Sequence, residues 1–164
     1  MELFDLVASQ PQIPFTYPDD GCWARAHEMC RILLLNQIAP GKVWMYGNLH
    51  VPTKDSPACA VNWVWHVAPI LDVAGPTGAA DKVVIDPSMF ATPVDETTWK
   101  AAMHDAGASM VQTDASVFYR DSAGIESADP DYRETQQALR RYENDLLLRV
   151  GEDGPPPYRC PDLS

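Results

Sequence analysis

The stretch Tyr17-Pro18-Asp19-Asp20-Gly21-Cys22-Trp23-Ala24-Arg25-Ala26-His27 decides how the chain is read, because a turn rich in Pro, Asp and Gly runs directly into a helix that begins with a cysteine. A helix start leaves backbone N–H groups unpaired and carries the positive end of the macrodipole, and both favour a thiolate over a thiol. The stretch therefore places a reactive sulfur, Cys22, at the head of a helix expected from Cys22 to about Gln37. Asp19 or Asp20 is the expected N-cap, and Pro40-Gly41 is the stop signal. Cys22, Ala26, Met29, Cys30, Leu33 and Leu34 follow helical spacing and form one apolar stripe, which puts the thiol at the edge of the core.

Working outward, the apolar segment Leu3 to Val7 and a loop punctuated by Pro11, Pro14 and Pro18 form an N-terminal arm that leads up to Cys22. Downstream, Val43 to Tyr46 reads as a strand and Gly47 to Ala60 as a loop, on the strength of Pro52, Pro57 and several polar residues. The run Val61 to Leu71 is the most strand-like in the chain. Alternation puts Val61, Trp63, Trp65 and Val67 on one face and Asn62, Val64, His66 and Ala68 on the other.

The loop Ala74 to Ala80 then joins that run to Lys82-Val83-Val84-Ile85-Asp86 as a hairpin. Closing it symmetrically about Pro76 sets His66 directly across from Asp86. Opposed Cβ atoms lie about 4.5–5.5 Å apart, close enough for an imidazole–carboxylate hydrogen bond.

A second helix is expected with Thr92 as N-cap, Pro93 in the first turn, Asp95 at N3 and a stop at Gly107; its apolar stripe is Trp99, Ala102, Met103 and Ala106. Ser109 to Tyr119 holds one or two strands. A third helix is expected from Pro130 to about Val150, capped by Asp129, followed by an extended tail through Pro155-Pro156-Pro157. With no repeat and no linker, residues 1–164 read as a single catalytic domain: an arm over 1–21, a core over 22–150 and a Pro-rich tail over 151–164.

Composition narrows the partners. The 164 residues suffice for a core that needs neither disulfide nor metal, and no apolar run is long enough to cross a bilayer. A formal net charge of −11 repels phosphate backbones and anionic membranes, so nucleic acid and membrane are excluded as partners. The start Met1-Glu2-Leu3-Phe4-Asp5 lacks the basic residues and long apolar region of a signal peptide, so the sequence leaves localisation open. None of Cys22, Cys30, Cys59 and Cys160 makes a C-x-x-C pair. In an oxidising compartment Cys59 and Cys160, both in irregular proline-flanked segments, are the pair to join; otherwise all four thiols are free.

A nucleophilic cysteine needs a base, and the base needs a partner that fixes its tautomer. Cys22, His66 and Asp86 fill those roles. His27 lies roughly 140° around the helix from Cys22 and faces away from it. His50 and His104 have no acid on a neighbouring strand. Taken singly, Cys22 is a small buried hydrophobe, His66 a satisfied core histidine and Asp86 a turn starter; the three together in one chain favour chemistry. Cys22, His27 and Cys30 diverge around their helix, which disfavours a metal site, and there is neither a G-x-S-x-G elbow nor a phosphate-binding glycine loop.

The Cys22 block, with Trp65-His66-Val67-Ala68-Pro69, Val84-Ile85-Asp86-Pro87-Ser88-Met89-Phe90, Pro93-Val94 and Trp99, resembles the bacterial protein-glutaminase (protein-glutamine deamidase) family over roughly residues 14 to 103. The resemblance implies an α+β fold with a papain-like/transglutaminase-like core, the nucleophile helix packed on an antiparallel sheet. It implies Cys22 as nucleophile, His66 as general base and acid, and Asp86 as the residue orienting His66. The implied reaction converts protein-bound Gln to Glu through a thioester and requires no cofactor. Trp23 and Trp65 are the expected walls of the substrate groove, whereas Trp63, on the face opposite His66, is expected to pack the core. The implied partners are a protein or peptide with an exposed Gln and an inhibitory pro-segment or immunity protein. Such domains occur as secreted enzymes and as catalytic ends of bacterial toxins and effectors. A transglutaminase, a papain-like protease and a non-catalytic binding module are the competing readings.

Overall fold

The computed structural model describes residues 2–163. The chain runs α1 (Leu3–Ala8), α2 (Cys22–Leu35), β1 (Gly41–Pro52), β2 (Ala60–Ala74), β3 (Ala80–Val84), α3 (Glu96–Ala101), β4 (Ser109–Asp114), β5 (Val117–Arg120), β6 (Glu126–Ala128) and α4 (Arg133–Asp153). Four strands form an antiparallel sheet in the order β3-β2-β1-β4, and β5 pairs with β6 in a separate ribbon. This is the expected α+β class.

The sheet has two buried faces, as the period-2 alternation of its strands requires. Val43 and Met45 of β1, with Ala68 and Ile70 of β2, pack against Trp99 and Met103 in and after α3. On the other face Trp44 and Val67 meet Cys22 and Ala26 of α2. Beside them Leu71 and Ile85 join Met29 and Leu33 of α2 and Phe4 and Val7 of α1. The helix that carries the cysteine is thus fixed to the sheet along its apolar stripe, and each large side chain so buried contributes about 1.5–3 kcal/mol.

Several boundaries differ from the sequence reading. β1 continues through Pro52, although 47–60 reads as loop; the ladder to β2 extends to Pro52↔Ala60 across a register shift between Tyr46 and Leu49. α3 begins at Glu96, with Asp95 as N-cap accepting from the Thr98 amide, and not at Thr92. Val94 is held instead in a bridge to Val84, just after a bend at Ala91 and Thr92. α4 begins at Arg133, yet the expected capping residue performs its task, since the Asp129 carboxylate accepts from the amides of Glu134 and Thr135 and from the Thr135 hydroxyl.

The hairpin between β2 and β3 closes about Thr77 and not Pro76. Gly75 and Ala79 are bonded across the loop, and the ladder pairs Ile70 with Val84. Gly78 turns the chain at φ +83°, a conformation open to glycine. The expected register is therefore wrong by two residues, and Asp86 lies past the end of β3 and not directly opposite His66. An error of two preserves the face, which is why the acid still reaches the imidazole diagonally.

The tail returns to the body of the molecule. Cys59 and Cys160 form a disulfide, the pair singled out by their irregular, proline-flanked surroundings, while Cys22 and Cys30 are free. Beside it, the Tyr158 amide donates to the Lys54 carbonyl at 2.7 Å.

Candidate active site

Cys22 opens α2, as its sequence context predicts, but the cap differs. Gly21 is the N-cap, in the left-handed region at φ +82°, and no side chain caps the helix. The exposed Asp20 carboxylate accepts from the Gly21 amide at 2.9 Å and from the Tyr142 hydroxyl at 2.9 Å. Asp19 pairs with Arg149 at 2.6 Å, and the Arg149 guanidinium lies over the Tyr17 ring. The turn that presents Cys22 is therefore held by α4. Nothing in the sequence locally signalled those distant contacts.

Gly21 is tightly specified. A Cβ there would come within 2.5 Å of the Tyr142 ring, on top of the strain that φ +82° imposes on any other residue. Gly21→Ala is expected to lower folding stability by about 1–3 kcal/mol and to reduce turnover, readable by thermal unfolding and ammonia release. Unchanged values of both would show the turn to be more tolerant than its packing suggests.

His66 sits on β2 and is 1% exposed. β3 ends opposite Ile70, so β2 beside His66 pairs with β1 alone, and the segment after β3 brings Asp86 to the imidazole. Asp86 begins a turn in which its backbone carbonyl accepts from the amides of Met89 and Phe90, which leaves its carboxylate for other partners. Its carboxylate Oδ2 accepts from His66 Nε2 at 2.8 Å and from Trp99 Nε1 at 2.9 Å. Nδ1 of His66 is buried without a hydrogen-bond partner, and Cys22 is the sulfur near enough to act on the ring.

The electrostatics follow from that arrangement. Burial alone would depress the His66 pKa, but the Asp86 carboxylate, and after it Cys22, reverse the direction and raise it from 6.5 to about 9. Burial pushes the Asp86 carboxyl up, yet the His66 ring, the Trp99 indole and the Arg25 guanidinium bring it below its ordinary value. A protonated imidazole between a carboxylate and a sulfur is the favoured form.

Trp63 is placed differently from expectation. Alternation assigns it to the face opposite His66, whereas the indole stacks on the imidazole with centroids 4.1 Å apart and planes 8° from parallel. The regular period breaks between Trp63 and His66, next to the β1–β2 register shift, and the Trp63 indole N–H donates to the Pro18 carbonyl at 3.1 Å. Trp99 also lies against the imidazole, tilted by 34° with centroids 5.8 Å apart, so both indoles contact His66, a placement the sequence reading missed. The clue available was that a buried indole N–H needs an acceptor.

Trp23 and Trp65 lie 6.0 Å apart, and each meets the edge or face of Tyr119. With Pro18, Asp20, Cys22 and Trp63 they line a cavity of about 410 Å³. A larger depression of about 700 Å³ between Phe15, Lys54 and Met89 contains neither Cys22 nor His66, so chemistry and not size selects the smaller one. The other histidines lie elsewhere. His27 contacts Lys42 and the Asp129 carbonyl, His50 contacts Asn62, and His104 contacts the His50 carbonyl.

The fold is of the α+β class with a papain-like/transglutaminase-like core, built on an antiparallel sheet with a cysteine at the head of the packed helix. A family model described as glutaminase matches residues 1–103. The chain belongs to the protein-glutaminase family. Among solved structures, a crystal structure of protein-glutaminase is 33% identical over 87% of this chain and 84% of its own, with a TM-score of 0.77. The NMR structure of protein-glutaminase from Chryseobacterium proteolyticum is 31% identical with the same coverage and a TM-score of 0.76. A crystal structure of pro-protein-glutaminase is 32% identical over 87% of this chain and 55% of its own, with a TM-score of 0.78. A search of curated protein sequences returns no match. The chain is an amide hydrolase that deamidates protein-bound glutamine; transamidation and peptide-bond cleavage are not favoured.

Proposed function

We propose that Cys22, His66 and Asp86 carry this deamidation, with Trp23 and Trp65 as walls for the aliphatic part of the glutamine side chain. The observation that supports it most is the buried His66: its Nε2 is committed to Asp86 at 2.8 Å while Nδ1 has no hydrogen-bond partner and Cys22 lies nearby. The Cys22 thiolate attacks the γ-carboxamide carbon, and the first amides of α2, which no side chain caps, hold the oxyanion. His66 gives its proton to the departing amine, releasing ammonia and leaving a γ-glutamyl thioester. His66, now neutral, takes a proton from water; the hydroxide opens the thioester, forming glutamate and regenerating the thiolate–imidazolium pair. Asp86 holds the tautomer and orientation throughout.

In this reading the substrate is a protein or peptide with an exposed Gln that fits the aromatic groove, and an inhibitory pro-segment or immunity protein would bind over the same groove. The relatives solved as pro-forms support a covering segment. The chain acts as one catalytic domain in this reading, supported by the Asp19–Arg149 pair that ties the arm to α4 and by the Cys59–Cys160 disulfide that ties the tail to the segment before β2.

Iodoacetamide at neutral pH tests the assignment. Cys22 is expected to be modified well ahead of Cys30, which burial pushes up to about 12, and turnover should stop with one equivalent bound. Modification of Cys30 first, or activity surviving modification of Cys22, would refute it.

A further inference from the structure

Arg25 stands one turn after Cys22 on α2 and is 2% exposed. Taking a guanidinium out of water costs several kcal/mol unless opposite charge is near. Among the described residues no carboxylate forms an ion pair with it. Its Nη1 donates to the carbonyls of Tyr17 at 3.1 Å and Asp20 at 2.5 Å, and Nη2 is buried without a partner. Burial pulls the guanidinium down from its ordinary value, and the charges opposing that are Cys22, Asp86, Asp20 and Asp19. Asp19 is occupied by Arg149, and Asp20 by Tyr142 and the Gly21 amide. What remains beside the buried guanidinium is the sulfur of Cys22, three residues earlier on α2, and the Asp86 carboxylate that His66 and Trp99 hold.

We infer that Arg25 is a positioning residue that pins the Tyr17–Gly21 turn to the nucleophile helix and supplies the positive charge under which Cys22 and His66 work as a thiolate–imidazolium pair. The inference rests on the assignment of Cys22 as nucleophile. With Arg25 charged, Asp86, His66, Cys22 and Arg25 form an alternating set with no net charge. Without it, the thiolate and the Asp86 carboxylate share one imidazolium, and the uncharged thiol and imidazole gain ground. The two carbonyl contacts set the position of Pro18 and Asp20, which line the groove beside the sulfur.

Arg25→Gln removes the charge and keeps an amide donor; Arg25→Lys keeps the charge. Both are compared with wild type for native near-ultraviolet circular dichroism, the rate of iodoacetamide modification of Cys22 at neutral pH, and kcat and KM on a glutamine peptide. The Gln variant is expected to lose about tenfold or more in both modification rate and kcat, with KM little changed, and the Lys variant to recover most of both. A Gln variant that modifies and turns over at the wild-type rate would overturn the inference. So would a natively folded Lys variant that is as slow as the Gln variant, or that is slow where the Gln variant does not fold. Wild type modified at Cys22 serves as reference: if it still turns over, the nucleophile assignment fails and the inference with it, whereas if it is dead and the Gln variant is fast, Arg25 alone is refuted.

Discussion

Cys22→Ala is expected to lower deamidation by about four orders of magnitude or more, to the level of the uncatalysed background, while the fold survives. Cys22 has no substitute thiol nearby: Cys30 is fully buried further along α2, and Cys59 and Cys160 are bonded to each other. The structural cost is small. Cys22 contacts Ala26, Trp44 and Val67, and exchanging a thiol for hydrogen at this partly open position costs roughly 1 kcal/mol. Ammonia release from a glutamine peptide, measured beside thermal unfolding, separates the two effects. Turnover within tenfold of wild type would remove Cys22 from the mechanism.

Asp86→Asn is expected to lower kcat by roughly 100- to 10,000-fold, because the imidazole loses both the acceptor that fixes its tautomer and the charge that keeps it protonated. The pH dependence gives a sharper signature. In wild type His66 is raised from 6.5 to about 9, so the imidazolium, and with it activity, persists up to about pH 9 and is lost above. In the Asn variant burial prevails and the alkaline limb moves to lower pH. The same shift governs stability. A histidine raised in the folded state contributes in full below its unfolded value and loses that contribution as pH rises through the folded one. Asp86, lowered from 3.8, contributes above that value and loses its contribution as pH falls below it. The stability gap between wild type and Asp86→Asn should therefore be widest between about pH 4 and 6.5 and close toward pH 9. A limb that stays in place would mean that Asp86 does not set the protonation of His66.

The three residues of the proposed site were legible because each carries a local signal. Cys22 follows a turn and heads an apolar stripe, His66 interrupts a β-branched and aromatic strand, and Asp86 precedes a proline turn. The Asp86–His66 contact was found through a register that was two residues off, and it survived because a shift of two keeps the face. Trp63 was misplaced for the converse reason: its assignment relied on unbroken alternation, and β2 breaks period where β1 shifts register. The strand content of 47–52 was hidden by polar residues and Pro52, which β1 tolerates at the end of its ladder with β2. The support from Tyr142 and Arg149 lies more than a hundred residues from the turn it holds, beyond the reach of any local pattern. Arg25 was visible as a residue in the Cys22 block, but that its charge is buried depends on packing against Tyr17 and Asp20.

The most direct test of Cys22 as the acylated residue is to quench the enzyme in acid during turnover of a glutamine peptide and map the acyl group by mass spectrometry. The expected result is a tryptic peptide containing Cys22 that carries the substrate less about 17 Da, the mass of the ammonia already released, and that is absent when Cys22→Ala is quenched in the same way. An adduct on any other residue, or rapid turnover with no adduct at Cys22 under conditions where ammonia release outpaces hydrolysis, would contradict it.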